Sequence, residues 1–327
     1  MNKFLMTTMF LFIFVAFVSA QEIKTRSLFP INKDGKCGYI NKTGKIIIRP
    51  RFKLCGIFSE GLASVMLVNE NRGFVDETGR FVIEPKLGKW FGGNFSEGYA
   101  AVALENDERG YVDKSGNFTL LENCSYVGSF SEGLAVIERN DLKGYIDKKF
   151  NVVVEPKFQH AGNFADGFAP VRDLNDSYYY IDKTGQMAIN FDGGEFSEGF
   201  AFIEVEGKYG FIDITGKVVI SPQFDGARFF YEGLAPIMVK DKWGFVDKSG
   251  QIVIEPRFDD VDKFFPDGLA PVNMGDKGGF INRKGELVIG LPFDNTEWFY
   301  GGLGRVTVKD KWGYVDSFGK VIWQPTK

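Results

Sequence analysis

The sequence predicts an all-β chain of nine tandem units, each about 34 residues long and each folding as a three-stranded antiparallel meander. Three recurring phrases predict it. The first, Gly, aromatic, Ile or Val, Asp or Asn, two variable residues and Gly, begins at Gly38, Gly73, Gly110, Gly144, Tyr179, Gly210, Gly244, Gly279 and Gly313. The second is an apolar β-branched run that reaches a proline and often an aromatic, as in Ile48-Arg49-Pro50-Arg51-Phe52 and Ile254-Glu255-Pro256-Arg257-Phe258. The third, Phe-x-Glu/Asp-Gly-apolar-Ala, starts at Phe58, Phe95, Phe130, Phe164, Phe196, Phe230 and Phe265, with a worn copy at Phe299.

One copy justifies each element in order. Leu234 to Val239 is a predicted strand and Lys240-Asp241-Lys242 a tight turn, followed by a second strand over Trp243 to Asp247. Aromatic and β-branched side chains suit a pleated surface. Asp247-Lys248-Ser249-Gly250 places Asp first and Gly fourth, the pattern of a hairpin turn whose Gly takes positive φ. Gln251 to Glu255 is the third strand, ended by Pro256, which has no N–H for a ladder. The Phe-x-Glu-Gly phrase then swings the chain into the next meander, its Gly left-handed and its Phe a plug between neighbours.

An isolated meander leaves an apolar face in water, so the units must stack. Leu28-Phe29-Pro30-Ile31-Asn32 aligns with Leu269-Ala270-Pro271-Val272-Asn273, and the last unit runs to Pro325, so both terminal units read as whole. A ring closed by strand exchange would split one unit between the termini. The reading therefore leans to an open, superhelical, solenoid-like array, with a closed β-propeller-like ring as the alternative.

Residues 1–20 read as a signal peptide: Lys3, then the uncharged run Phe4 to Val18, then Val18-Ser19-Ala20 before Gln21, with cleavage after Ala20. An apolar stretch of about 15 residues is short of the ~20 that a membrane-spanning helix needs. Residues 21–27 form a leader and 28–327 the repeat domain. No cysteine lies within the first 36 residues, which excludes a lipoprotein signal, and no later run is apolar for long enough to insert into a membrane. The expected location is extracellular or periplasmic. Cys37, Cys55 and Cys124 cannot all pair within one chain and look incidental, although Cys37 and Cys55 share the first repeat and a bridge between them stays open.

With 39 Lys and Arg scattered among 43 Asp and Glu, the net charge of -4 offers no basic patch for nucleic acid. The single histidine, His160, nearly excludes a catalytic triad or a His-rich metal site, and no cofactor is expected. The connector carboxylates Glu60, Glu97, Glu132, Asp166, Glu198, Glu232 and Asp267 recur in every unit, as acceptors of N–H bonds in a turn would. The aromatic stripe that includes Tyr39, Phe74, Tyr145 and Phe245 reads as core. The candidate ligand-binding residues are Trp243, Trp312 and Tyr209, beside the first turn of their units. Departures from the pattern mark further places where specific sites hide: the stretch Asn117 to Val127 without its proline, Phe150 in place of the turn glycine, and the shortened Asp192-Gly193-Gly194.

Lys242-Trp243-Gly244-Phe245-Val246-Asp247 and Lys311-Trp312-Gly313-Tyr314-Val315-Asp316, together with the Ile-x-Pro-x-Phe and Phe-x-Glu-Gly-Leu-Ala phrases, resemble the WG (KWG) repeat family of bacteria over about residues 28 to 325. The tryptophan survives in only those two copies and is replaced elsewhere by Tyr179 and Tyr209, by Cys37, Arg72, Arg109 and Lys143, and by Gly278. The resemblance implies a β-rich repeat of exported or cell-envelope proteins with no general activity attached. A non-catalytic binding or scaffold module is expected, its ligand a protein or a cell-envelope glycan. A structural spacer without a ligand is the alternative, and an enzyme comes third.

Overall fold

A computed structural model of the chain describes residues 28–85, 93–104 and 108–326. The expected signal peptide, its cleavage point at Ala20 and Gln21, and the leader lie outside the described residues. Nine antiparallel sheets follow one another along the chain. The seventh is representative: a short strand at Gly226–Ala227, then Leu234–Val239, Lys242–Asp247 and Ile252–Phe258, hydrogen-bonded in that order.

The predicted meander is the second, third and fourth strands of such a blade. The short strand was not predicted, and it shows how units are joined. Ile252–Phe258 completes blade seven, and one residue later Asp260–Val261 begins blade eight. Each repeat thus straddles two blades.

Pro256 does not end its strand. Phe245 pairs with Ile254 but Trp243 with Phe258, so the proline sits in a bulge where no ladder N–H is required. The bulge presses the fourth strand onto the glycine of the first phrase. A Cβ on Gly73 would lie 2.5 Å from the Ile83 carbonyl oxygen, and Gly38, Gly144, Gly210 and Gly244 are covered at least as closely. In blade five Tyr179 occupies this position, so Tyr178 and not Tyr179 stands where the tryptophan is lost, and the fourth strand there is only Met187–Ile189.

Both turn types follow from their residues. Ser59 and Leu62 exchange two backbone hydrogen bonds (2.9 and 3.0 Å) across Glu60 and Gly61, whose φ values of 50° and 85° make a two-residue hairpin turn. The left-handed backbone therefore includes the connector carboxylate as well as its glycine. In the Asp-x-x-Gly turns the carboxylate accepts bonds from the second and fourth residues on, as Asp76 does from the amides of Thr78 (2.9 Å) and Arg80 (3.0 Å). Phe150 takes the glycine's place at φ 66° and stacks on Tyr111 of the preceding blade, centroids 5.6 Å apart.

The aromatic stripe is core: Tyr39, Phe74, Tyr111, Tyr145, Tyr180, Phe211, Phe245, Phe280 and Tyr314 are all buried. Each connector Phe plugs against the stripe residue of the blade before, as in Tyr145 on Phe164 at 4.8 Å. In blade eight the plug is Phe264, 4.8 Å from Phe245, rather than the expected Phe265, because Pro266 lengthens that connector by a residue.

The two ends meet. The Tyr314 hydroxyl donates to the Pro30 carbonyl at 2.7 Å, and Phe29, Ile31, Ile40, Leu303 and Tyr314 form one buried cluster. Of the two arrangements that the sequence left open, the chain adopts the closed ring, a nine-bladed β-propeller. The reading of both terminal units as whole, the reason for leaning to an open array, does not prevent closure, because among the described residues side-chain packing and the Tyr314–Pro30 hydrogen bond hold the seam.

Cys37 and Cys55 are not incidental. They form a disulfide, Cα atoms 6.0 Å apart, that ties the middle strand of the three described in blade one to the short strand of blade two. Cys124 is free.

Candidate functional site at the blade junctions

In a meander the turn after the short strand and the turn before the fourth strand lie on one side of the ring. The connector carboxylates are there, and they act between blades. Glu60 accepts from the Gly98 amide (3.1 Å) and pairs with Lys114 (2.8 Å). Glu132 does the same with Gly167 (3.0 Å) and Lys183 (3.1 Å), and Glu198 with Gly233 (2.9 Å) and Lys248 (3.2 Å). The N–H bond expected of these carboxylates is made by Glu60, Glu97, Glu132, Asp166, Glu198 and Asp267, but to the next blade's glycine. The preceding serines add a second tie: Ser59, Ser96, Ser131 and Ser197 donate to the carbonyls of Phe95, Phe130, Phe164 and Phe230 at 2.6 to 2.7 Å.

The opposite side carries the hairpins between second and third strands, and with them the three candidate residues. Tyr209, Trp243 and Trp312 hold the same position in blades six, seven and nine, so the fold does not gather them into one site. All three are half-buried. Arg228 lies over the Trp243 ring at 4.2 Å and pairs with Asp260 at 2.8 Å. Arg305 covers Trp312 at 4.7 Å and pairs with Glu297 at 3.1 Å. The Tyr209 hydroxyl donates to Glu204 at 2.8 Å, which is the main reason its pKa is raised, with burial adding to it.

Between these two Arg–Trp stacks, in blade eight, the equivalent position is Gly278. A cleft of about 450 Å³ opens beside it, lined by Arg228, Asp260, Asp262, Asn273, Glu297 and Trp298 among others. Reading the sequence registered Gly278 only as a lost tryptophan. No local signal pointed to the cleft, because its lining comes from three successive blades.

Among the described residues no group of three or more His, Cys, Asp or Glu side chains converges as a metal site would. His160 is exposed, on the short strand His160–Ala161 rather than in a loop. Among the described residues no helix is long and apolar enough to cross a membrane.

The repeats now have their geometry, and comparison with known families matches it. The WG containing repeat is found at residues 38–70, 73–106, 110–142, 144–178, 180–209, 209–243, 243–277 and 279–312. The chain belongs to the WG-repeat family. Each WG match opens within a third strand and closes in the following blade, which is the straddling unit described above. No curated protein matches the chain. Among solved structures the WG-repeat ring is similar to one described as the eukaryotic initiation factor, at 14% identity over 85% of this chain and 88% of that one, with a TM-score of 0.59. It is also similar to the computationally designed Ika8 protein, at 13% identity over 79% of this chain and 94% of that one, with a TM-score of 0.51. At such identities the likeness shows the fold alone. WG repeats on a propeller suggest a repeat-based binding or scaffold module.

Proposed function

We propose that this WG-repeat propeller is exported after cleavage behind Ala20 and works as a non-catalytic binding or scaffold module in a bacterial cell envelope, its ligand a protein or an envelope glycan. The observation that carries the reading is how the recurring polar residues are used. The connector carboxylates, serines and turn aspartates are engaged in turns and blade junctions, so the residues that repeat hold the ring. What is left to differ from blade to blade is the hairpin side, where Trp243, Trp312 and Tyr209 stand half-exposed and would feel a partner. The Cys37–Cys55 disulfide supports export, because such bonds persist in oxidising compartments.

The test is fractionation of cells that make the full chain, with the new N-terminus read by mass spectrometry, followed by sedimentation of the mature chain with isolated envelope material. A chain that begins at Gln21 and co-sediments is the expected result, with Trp243→Ala and Trp312→Ala weakening the association. An uncleaved chain retained in the cytoplasm would overturn the reading of export. A mature chain that binds nothing would favour the spacer.

A further inference from the structure

We infer that the cleft at Gly278 is a saccharide site that accepts a neutral, hydroxyl-rich sugar unit. The inference rests on reading the chain as a binding module and narrows it to one place.

The cleft lies where blade eight departs from its neighbours, although Gly278 itself leaves no empty ring-sized space. In blade seven Trp243 pairs across strands with Met238 and lies under Arg228 of its own short-strand segment. In blade eight the same cross-strand pair is Gly278 with Asn273, and the short-strand segment is Asp260, Val261 and Asp262. A Cβ on Gly278 would stand 2.9 Å from the Asn273 side-chain oxygen and 2.9 Å from the Thr296 amide nitrogen. The cleft is therefore not a void over Gly278 but the space beside it, between Asp260, Asp262 and Asn273 of blade eight and Glu297 and Trp298 of blade nine.

The wall carries an acceptor with nothing to accept from. The Asn273 Oδ1 atom is buried and has no hydrogen-bond partner. Burying an amide oxygen unpaired is unfavourable, and such a group in a cleft wall is satisfied by a donor on a ligand. Asp262 accepts from the Lys263 amide beside it (2.7 Å) and keeps lone pairs to spare. The further wall is rigid and aromatic: Trp298 is seated on Phe29 at 6.3 Å and against Tyr314 at 5.8 Å.

Charge decides between a sugar and a cation. Asp260 is paired with Arg228 and Glu297 with Arg305, so of the three lining carboxylates only Asp262 lacks a cationic partner in the wall. Little net attraction remains for a lysine-rich peptide or a polyamine. The paired carboxylates still offer oxygen lone pairs, and with the Asn273 oxygen and the indole they match what a sugar presents: hydroxyl donors around its rim and C–H groups on its face.

The experiment is calorimetric titration of the full chain with chito-oligosaccharide, mannotriose and β-glucan tetrasaccharide, with tryptophan fluorescence read in parallel. At least one should bind and perturb the fluorescence, and Asn273→Ala and Asp262→Ala should each weaken it about tenfold or more. Asn273→Ala should melt at or above the parent temperature, because it removes an unpaired acceptor, so lost binding cannot be put down to unfolding. Leu174→Ala, on an exposed hairpin of blade five, should bind as the parent does. Full affinity in both cleft variants would overturn the inference, as would salt-sensitive binding of oligolysine in place of any sugar. If no sugar binds while the chain still sediments with envelope material, this site falls and the binding module stands.

Discussion

The early blades and the late blades of this ring are built from one repeat and fastened by different chemistry. In blades one, three, four and five the stripe residue is tyrosine, and its hydroxyl donates to a backbone carbonyl of the next blade: Tyr39 to Gly56 (2.9 Å), Tyr111 to Gly128 (2.6 Å), Tyr145 to Gly162 (2.8 Å) and Tyr180 to Gly194 (2.6 Å). In blades six, seven and eight it is phenylalanine, and a clamp on the hairpin side takes over. Lys208 pairs with Asp225, which also accepts the Lys240 amide (2.7 Å) of the next blade's hairpin. Lys242 with Asp259 and Gly275, and Lys277 with Asp294 and Lys309, repeat it. The seam uses the early solution, Tyr314 on Pro30. Added to the serine and carboxylate ties that both halves share, the early junctions carry buried neutral bonds and the late ones exposed charged ones. Either kind of tie supplements the apolar plug.

The largest expected effect should not distinguish the halves. Gly144→Val and Gly244→Val both drive a side chain into the crossing strand, and each should lower unfolding stability by more than about 3 kcal/mol in denaturant titrations. A tolerated Gly244→Val would show that the late strands cross more loosely than the early ones. Next comes Cys37→Ser, which touches only the first junction and should cost about 2–4 kcal/mol. Tyr145→Phe, which leaves the Gly162 carbonyl without its partner, should cost about 1–2 kcal/mol by the same measurement.

The smallest effect belongs to the clamps. Asp259→Asn should lower the melting temperature slightly at low salt and be indistinguishable from the parent at about 1 M salt, where exposed pairs are screened.

Acid and base should separate the halves. The Asp259 carboxyl is held below its usual range by Lys242 first and then by the Gly275 amide. Its contribution is therefore present above the ordinary carboxyl pKa of about 3.9 and is lost as pH falls through the lowered value. Burial pushes the Tyr145 hydroxyl well above its ordinary value of about 10, so the latches hold in acid and weaken as pH rises past that value. Hydrogen exchange should open the late blades first in acid and the early blades first in alkali. The same order at both extremes would sink the distinction.

Much of this was legible in the chain itself. Nine turns with Asp or Asn first and, in all but one, Gly fourth, and a buried aromatic beside a crossing glycine are local patterns, set by backbone sterics and by a two-residue period. The cleft was not, because it depends on Asn273, Asp262 and Trp298, which lie in two blades and share no phrase. The disulfide was half legible: the two cysteines were seen as neighbours in sequence, but only the straddling of one repeat across two blades brings Cys55 against Cys37.

What the sequence determined alone is the unit: strands, turns and the face each side chain takes, because these follow from residue type within a few positions. Whether the units close was decided by the tertiary structure. Closure depends on the small rotation between one blade and the next, summed around the chain until Phe29 and Tyr314 touch. No single repeat encodes that sum.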